Sequence, residues 1–297
     1  MRIPSRQIAF AALSLCASAA WSQVAWILAA SPGVAIEISG ERLKASAGAG
    51  VAAEAVITGA EGDRCVLVAM SEVFTIDFFP FNVGDFFSEP IDDSGARMTR
   101  QIVARIAAYA WSAERKDMIL PSEAFEWAIA PGAIPERWLS AGFHFRFSQS
   151  APSHRSGTYA PLSYALRPGV EIKQVLYWLV GDETGKTIQD KRAAAKTDGE
   201  WLLDISMADF PRYGAFKLRG YIATNLGMRE FCIPFSLLSR AEQAQVDDQI
   251  RKETATDSNP RWNALIAAYR WLLQGCPLLA LEQLQKAGIP TELFFPR

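Results

Sequence analysis

Two carboxylates, Asp77 and Asp85, lie within an aromatic run over residues 74–93. A carboxylate pair is the minimum apparatus of a glycoside hydrolase, one group acting as general acid and the other as base or nucleophile. The same twenty residues hold six phenylalanines and five acids. That is more aromatic surface than one strand face buries, so part of the segment is expected to stay exposed as a ligand surface. Its candidate contacts are Phe78, Phe79, Phe81, Asp85, Phe86 and Phe87. The competing expectation makes Phe78, Phe79 and Phe81 a plug at the end of a β-sandwich, with the acids solvated.

Other motifs fail on spacing or inventory. Gly181-Asp-Glu-Thr-Gly185-Lys186-Thr187 follows an apolar run as a phosphate loop would, but it has three residues between its glycines where four are needed to wrap the phosphates. The polar stretch after it is a poor buried helix, so a hairpin turn is expected and no nucleotide. Gly48-Ala-Gly50-Val-Ala-Ala53 matches a loose dinucleotide fingerprint, yet Glu41-Arg-Leu-Lys before it is a poor buried strand. Only two histidines occur, His144 and His154, which nearly excludes multi-histidine zinc sites and His-based relays. No two cysteines have metal-type spacing, and no cofactor is expected.

Between Gln7 and Ile36 the chain has no charged residue, and Arg2 and Arg6 precede that stretch. This is the pattern of an export signal: a basic start, an apolar core over residues 8–20, and small residues at Ala20 and Ser22. Residues 1–22 are therefore expected to be removed, giving a periplasmic or secreted protein. The rival is a retained anchor over residues 8–30, a length that spans a bilayer; membrane contact is expected only in that case. Leu13-Ser14-Leu15-Cys16 has Leu15 where a lipoprotein box needs a small residue, so lipidation of Cys16 is not expected.

Loss of the leader moves the formal charge from −2 to −4. No basic block remains to displace counterions from phosphates, which speaks against nucleic acid. Cys65, Cys232 and Cys276 remain. Cys65 sits in an apolar run and reads as a small core residue, leaving Cys232 and Cys276 as the expected disulfide.

The positioning elements are mostly strands. Residues 64–70 form an apolar run between turn residues, and Phe143, Phe145 and Phe147 alternate with polar neighbours. Residues 101–111 are ambiguous, because Ile102, Ile106 and Tyr109 fit helical spacing while the β-branched content suits a strand. A polar stretch from Ser148 onward suggests a domain boundary near 150. Beyond it come an apolar run over residues 170–180, alternation at Trp201, Leu203, Ile205 and Met207, and a shared face at Phe216, Leu218 and Ile222. Residues 239–254 read as a charged helix. Ser258 and Pro260 then open a second, with Trp262, Leu265, Ile266, Tyr269, Leu272 and Leu273 on its apolar face and Gly275 at its end. Pro277 opens a third that Gly288 closes.

The fold expected is mostly β: a β-sandwich over residues 23–150, an immunoglobulin-like sandwich over 151–238, and a C-terminal helical hairpin within 239–297. The run Lys196-Thr-Asp-Gly-Glu-Trp, with Asp204-Ile-Ser-Met-Ala-Asp-Phe and Tyr213-Gly-Ala-Phe-Lys-Leu-Arg-Gly-Tyr-Ile, resembles immunoglobulin-like modules of bacterial surface proteins, in particular the Bsp-like repeats. The corner histidine of such modules is replaced here by Phe210 or Pro211. The resemblance implies a non-catalytic adhesive or spacer module and carries over no functional residue. The function expected is a binding or scaffolding protein of the envelope, partnered by an envelope protein or polysaccharide; the alternative is a carboxylate-based hydrolase. Mass analysis of the exported protein is expected to find Gln23 as its first residue, whereas a retained Met1 in a detergent-extracted protein would establish the anchor.

Overall fold

The structure, a computed structural model, describes residues 23–87, 93–109, 124–128, 132–136, 144–148, 162–181, 185–197, 200–205, 210, 214–255 and 257–294. It is mostly β, with several sheets and four α-helices among these residues.

The first module is built from β1 (Gln23–Ala30), β2 (Ala35–Ile38), β3 (Glu41–Lys44), β4 (Gly50–Ala52), β5 (Val56–Thr58), β6 (Cys65–Ala69), β7 (Glu72–Ile76) and β8 (Phe81–Asn82). They form two four-stranded sheets, ordered β4-β1-β6-β7 and β3-β2-β5-β8. Val24, Ile27, Leu67 and Ile76 of the first sheet meet Ile36, Ile57 and Phe81 of the second in one apolar cluster. The first sheet is buried on its other face as well. Trp26, Leu28, Val66 and Val68 there join Ile102, Val103 and Ile106 of α1 (Asp93–Ala107). A strand covered on both sides reads as an unbroken apolar run, which is how Val24 to Ala29 came to resemble a leader segment. The 23-residue anchor would need Gln23–Ala30 as helix; they are a central strand instead. No helix among the described residues is long and apolar enough to cross a membrane.

Residues 101–111 are thereby resolved through Ala107 as the second half of α1. Its apolar residues recur at helical spacing, and burial of that stripe outweighs their strand preference.

The second module comprises β9 (Phe125–Ala128), β10 (Gly132–Pro135), β11 (His144–Ser148), β12 (Leu162–Leu166), β13 (Ile172–Gly181), β14 (Thr187–Ala193), β15 (Ala195–Thr197), β16 (Glu200–Asp204), β17 (Ala215–Thr224) and β18 (Gly227–Leu238). Its sheets run β10-β18-β17-β13-β14 and β15-β16-β11-β12-β9. This corrects the boundary at 150. β9, β10 and β11 precede that point, yet β10 pairs with β18, β11 with β16 and β9 with β12. Polar sequence marks loops within a module as well as linkers between modules. Tyr177, Leu179, Leu218, Ile222, Phe231 and Ile233 of one sheet share a core with Phe125, Trp201 and Leu203 of the other. Gly220 permits that packing, since a Cβ there would stand 2.1 Å from the Leu176 carbonyl oxygen and 2.4 Å from the Phe231 ring.

Three α-helices follow, α2 (Arg240–Thr254), α3 (Pro260–Leu273) and α4 (Pro277–Lys286), and a 3₁₀ turn over Thr291–Phe294 comes after them. Ser239 opens α2 with a capping box, its hydroxyl accepting from the Glu242 N–H while the Glu242 carboxylate accepts from the Ser239 N–H at 2.8 Å. The Ser239 hydroxyl also donates to the Glu242 carboxylate at 2.7 Å, and this bond first and the Ser239 N–H second hold the Glu242 carboxyl below its ordinary value. α3 is capped by Asn259 rather than Ser258, because Pro260 takes the first helical position and leaves the preceding residue as cap. Asn259 Oδ1 accepts from the N–H groups of Arg261 and Trp262. Trp262, Leu265, Ile266 and Leu272 are buried as expected, with Trp271 added, while Leu273 is exposed.

Helix α3 lies along the first module. Arg261 Nη1 donates to the Val73 carbonyl at 2.8 Å and Nη2 to Thr75 Oγ1 at 2.6 Å, covering the edge strand β7. Burial lowers the pKa of this guanidinium from its ordinary value. The turn after α3 receives the second module, where Ala133 N–H donates to the Gly275 carbonyl at 2.8 Å. Arg261→Ala is expected to lower stability by about 2–3 kcal/mol, the worth of charge-assisted bonds whose acceptors are left unmet. Arg251→Ala, on the exposed side of α2, should stay within ~0.5 kcal/mol. Urea unfolding of both variants checks this, and equal midpoints would show that α3 is held without Arg261.

Candidate functional site

The aromatic segment leaves β7 at Ile76 and re-enters the module as β8, the edge strand of the second sheet. The peptide bond between Phe79 and Pro80 is cis. Residues 83–85 then form a single 3₁₀ turn around buried Val83, whose N–H donates to the Ala55 carbonyl at 3.0 Å. The N–H groups of Phe86 and Phe87 both return to the Val83 carbonyl, at 3.1 and 2.9 Å. Backbone bonds therefore set where each ring sits.

The six rings divide into three groups. Phe81 is in the core, 4% exposed. Phe74, Phe79 and Phe87 are half-buried; Phe74 and Phe87 meet edge to face at 4.8 Å, and Phe79 lies against Gly59. Phe78 and Phe86 are 55% and 58% exposed. Both touch Phe81, Phe78 edge-on at 5.6 Å and Phe86 stacked at 4.7 Å with the planes 19° apart. One buried ring thus carries two exposed ones as a ledge. The plug expected of Phe78, Phe79 and Phe81 is made by Phe81, with Phe79 only partly inside and Phe78 outside.

Asp77 and Asp85 adjoin the exposed rings in sequence and are themselves exposed. Asn82 Nδ2 donates to Asp85 Oδ2 at 3.2 Å. Glu89 and Asp92 lie outside the described residues, as does His154. His144 lies on β11, in register with Asp204 of β16. Among the described residues, no group of three His, Cys, Asp or Glu side chains is placed to hold a metal ion.

The glycine motifs are turns. Gly181 N–H donates to the Lys186 carbonyl at 3.0 Å between antiparallel β13 and β14, where a phosphate loop would lead into a helix. Gly48 stands at positive φ before β4, again without a following helix.

The expected Cys232–Cys276 bridge is replaced by buried thiols at Cys65, Cys232 and Cys276. The pleat explains this. Phe231, Ile233 and Phe235 point into the core, which turns Cys232 to the opposite face of the sheet, whereas Cys276 belongs to the core among the helices. Burial pushes the Cys65 thiol up to about 12. Cys276 reaches about 12 through burial first and the Glu242 charge second. Neither is poised as a nucleophile.

One cluster escaped the reading of the sequence. On the outer face of the β13–β17–β18 sheet, Trp178 and Tyr221 pair at 5.6 Å with Lys191 Nζ 6.0 and 5.1 Å from their centroids. Arg219 and Glu230 form an ion pair at 2.6 Å on the same face. The signal was present in the alternation, since the shared face of Phe216, Leu218 and Ile222 sends Tyr221 the other way. Comparison with family models, with curated proteins and with solved structures returns no match.

Phe81→Ala is expected to cost roughly 3–5 kcal/mol, as core phenylalanine truncations do. Phe78→Ala should cost under ~1 kcal/mol. Thermal melts of the two variants make the comparison, and equal losses would show that Phe78 is core.

Proposed function

We infer that the chain is an exported binding or scaffolding protein of the cell envelope, without catalysis of its own, and that the ledge of Phe78, Phe81 and Phe86 is its working surface. One observation carries this reading: two rings more than half exposed are fastened to a buried third on a backbone-bonded frame. Exposed apolar surface rimmed by polar groups is the mark of an interaction site. The partner class is an envelope protein or polysaccharide. A periplasmic or secreted location rests on the pattern of residues 1–22.

The hydrolase alternative rests on Asp77 and Asp85 alone. A glycosidase acid works from an apolar pocket, and these two carboxylates face solvent on a surface loop.

The second module is read as an immunoglobulin-like sandwich extending over residues 124–238. Lettering β11, β13 and β14 as B, C and C′, and β15 to β18 as D to G, yields the sheet orders G-F-C-C′ and D-E-B of that fold, with β10 added beyond G and β12 and β9 beyond B. Such a module acts as a spacer or adhesive unit. The short connection between α3 and α4 makes those helices a hairpin, with α3 against α1 and β7 and α4 against β10.

Phe78→Ala combined with Phe86→Ala is expected to weaken capture of envelope components by about 2 kcal/mol, some thirtyfold, with little change in melting temperature. A stable double variant that captures the same components as the parent chain would sink the ledge as a binding surface.

A further inference from the structure

The ledge stands in a one-sided electrostatic setting. Between residues 53 and 93 the sequence holds nine carboxylates and a single cation, Arg64, although the whole chain carries only −2. Part of this charge lies beside the segment that bears the rings. Asp77 and Asp85 sit beside Phe78 and Phe86 in the chain. Glu54 follows Ala53, whose carbonyl lies against Gly84 so closely that a Cβ there would be 2.8 Å away. Glu61 and Asp63 follow Gly59, the residue covered by the Phe79 ring. Glu54 and Glu61 thus flank the two ends of β5, the strand that pairs with β8, and Glu54, Glu61, Asp77 and Asp85 are exposed.

The rings make the surface and the charge selects its occupant. An exposed aromatic face attracts a cation through its quadrupole, and neighbouring carboxylates deepen that attraction while repelling anions. Phe86 is stacked on Phe81 by one face, which leaves the other available. Long basic side chains suit such a place, since their methylene stems cover apolar surface while the charged heads stay wet beside acids.

We propose that the ledge docks a cationic segment of a partner protein, with Lys or Arg side chains laid over Phe78 and Phe86 and their heads met by Asp77 and Asp85. This rests on the ledge being the binding surface. A neutral polysaccharide would use the rings and ignore the carboxylates, and an acidic one would be repelled.

The test uses the full exported chain and three probes: an extended peptide alternating Lys and Ser, the same peptide with Gln for Lys, and a soluble neutral glucan. Binding is measured for the parent chain, for Asp77→Asn with Asp85→Asn, for Phe78→Ala with Phe86→Ala, and for a remote control, Asp248→Asn on α2. The lysine peptide should bind the parent and the control alike, about tenfold more weakly to each ledge variant, and progressively less as salt approaches ~0.5 M. The glutamine peptide and the glucan should not bind. Undiminished peptide binding by the ring variant would reduce the effect to diffuse charge attraction and overturn the proposal. Glucan binding that needs Phe78 and Phe86 but tolerates the Asn pair would overturn the cationic occupant and leave the ledge standing. Ring-independent behaviour with every probe, joined to unchanged capture of envelope components, would remove both.

Discussion

Burial of the first sheet on both faces is the constraint from which the rest of the architecture follows. One face is closed locally by strands that lie within some sixty residues of β1. The other presents Trp26, Leu28, Val66 and Val68, and it has no cover until α1 and the C-terminal helices arrive. Leaving such side chains wet would forfeit roughly 1.5–3 kcal/mol for each large one. The end of the chain is thereby bound to its beginning. α3 also meets the edge problem of β7, since an open strand edge invites pairing with another chain and Arg261 takes up the Val73 carbonyl and the Thr75 hydroxyl there. Through the Gly275 turn and β10 the same apolar cluster continues into the second module. Gly132 makes that junction possible: a Cβ there would stand 2.2 Å from the Gly275 carbonyl oxygen.

What was legible in the sequence was local, and what was not depended on partners distant along the chain. Alternation at Trp201 and Leu203, or at Phe216, Leu218 and Ile222, states which side of a strand is dry, and those residues are buried. Glycine and proline positions marked the ends of α3 and α4 correctly. β1 was ambiguous for a physical reason: a strand buried on both faces and the distal part of a leader share one signature, an uninterrupted apolar run. The boundary near 150 failed because the pairing of β11 with β16 has no local trace in either strand. The disulfide followed from counting thiols, and a count says nothing about which face of a pleated strand each occupies. Of the candidate contacts, the segment was found from composition, but the division into buried Phe81, half-buried Phe79 and Phe87, and exposed Phe78 and Phe86 required the 3₁₀ turn and the edge position of β8.

That division bears on how the surface can bind. Ordering a mobile side chain at an interface costs about 0.5–1.5 kcal/mol, and a ligand must overcome that cost before any net affinity appears. Phenylalanine begins with only two side-chain torsions, and here those of Phe86 are restrained before any ligand arrives, because the ring already stacks on Phe81, which the core immobilises. The Val83 carbonyl, accepting from both Phe86 and Phe87, restrains the backbone in the same way. A ring on an unsupported loop would present equal area and bind less well. The buried member of the trio therefore serves recognition without being touched by the ligand, and the core of the first module and its outer surface are two sides of one packing decision.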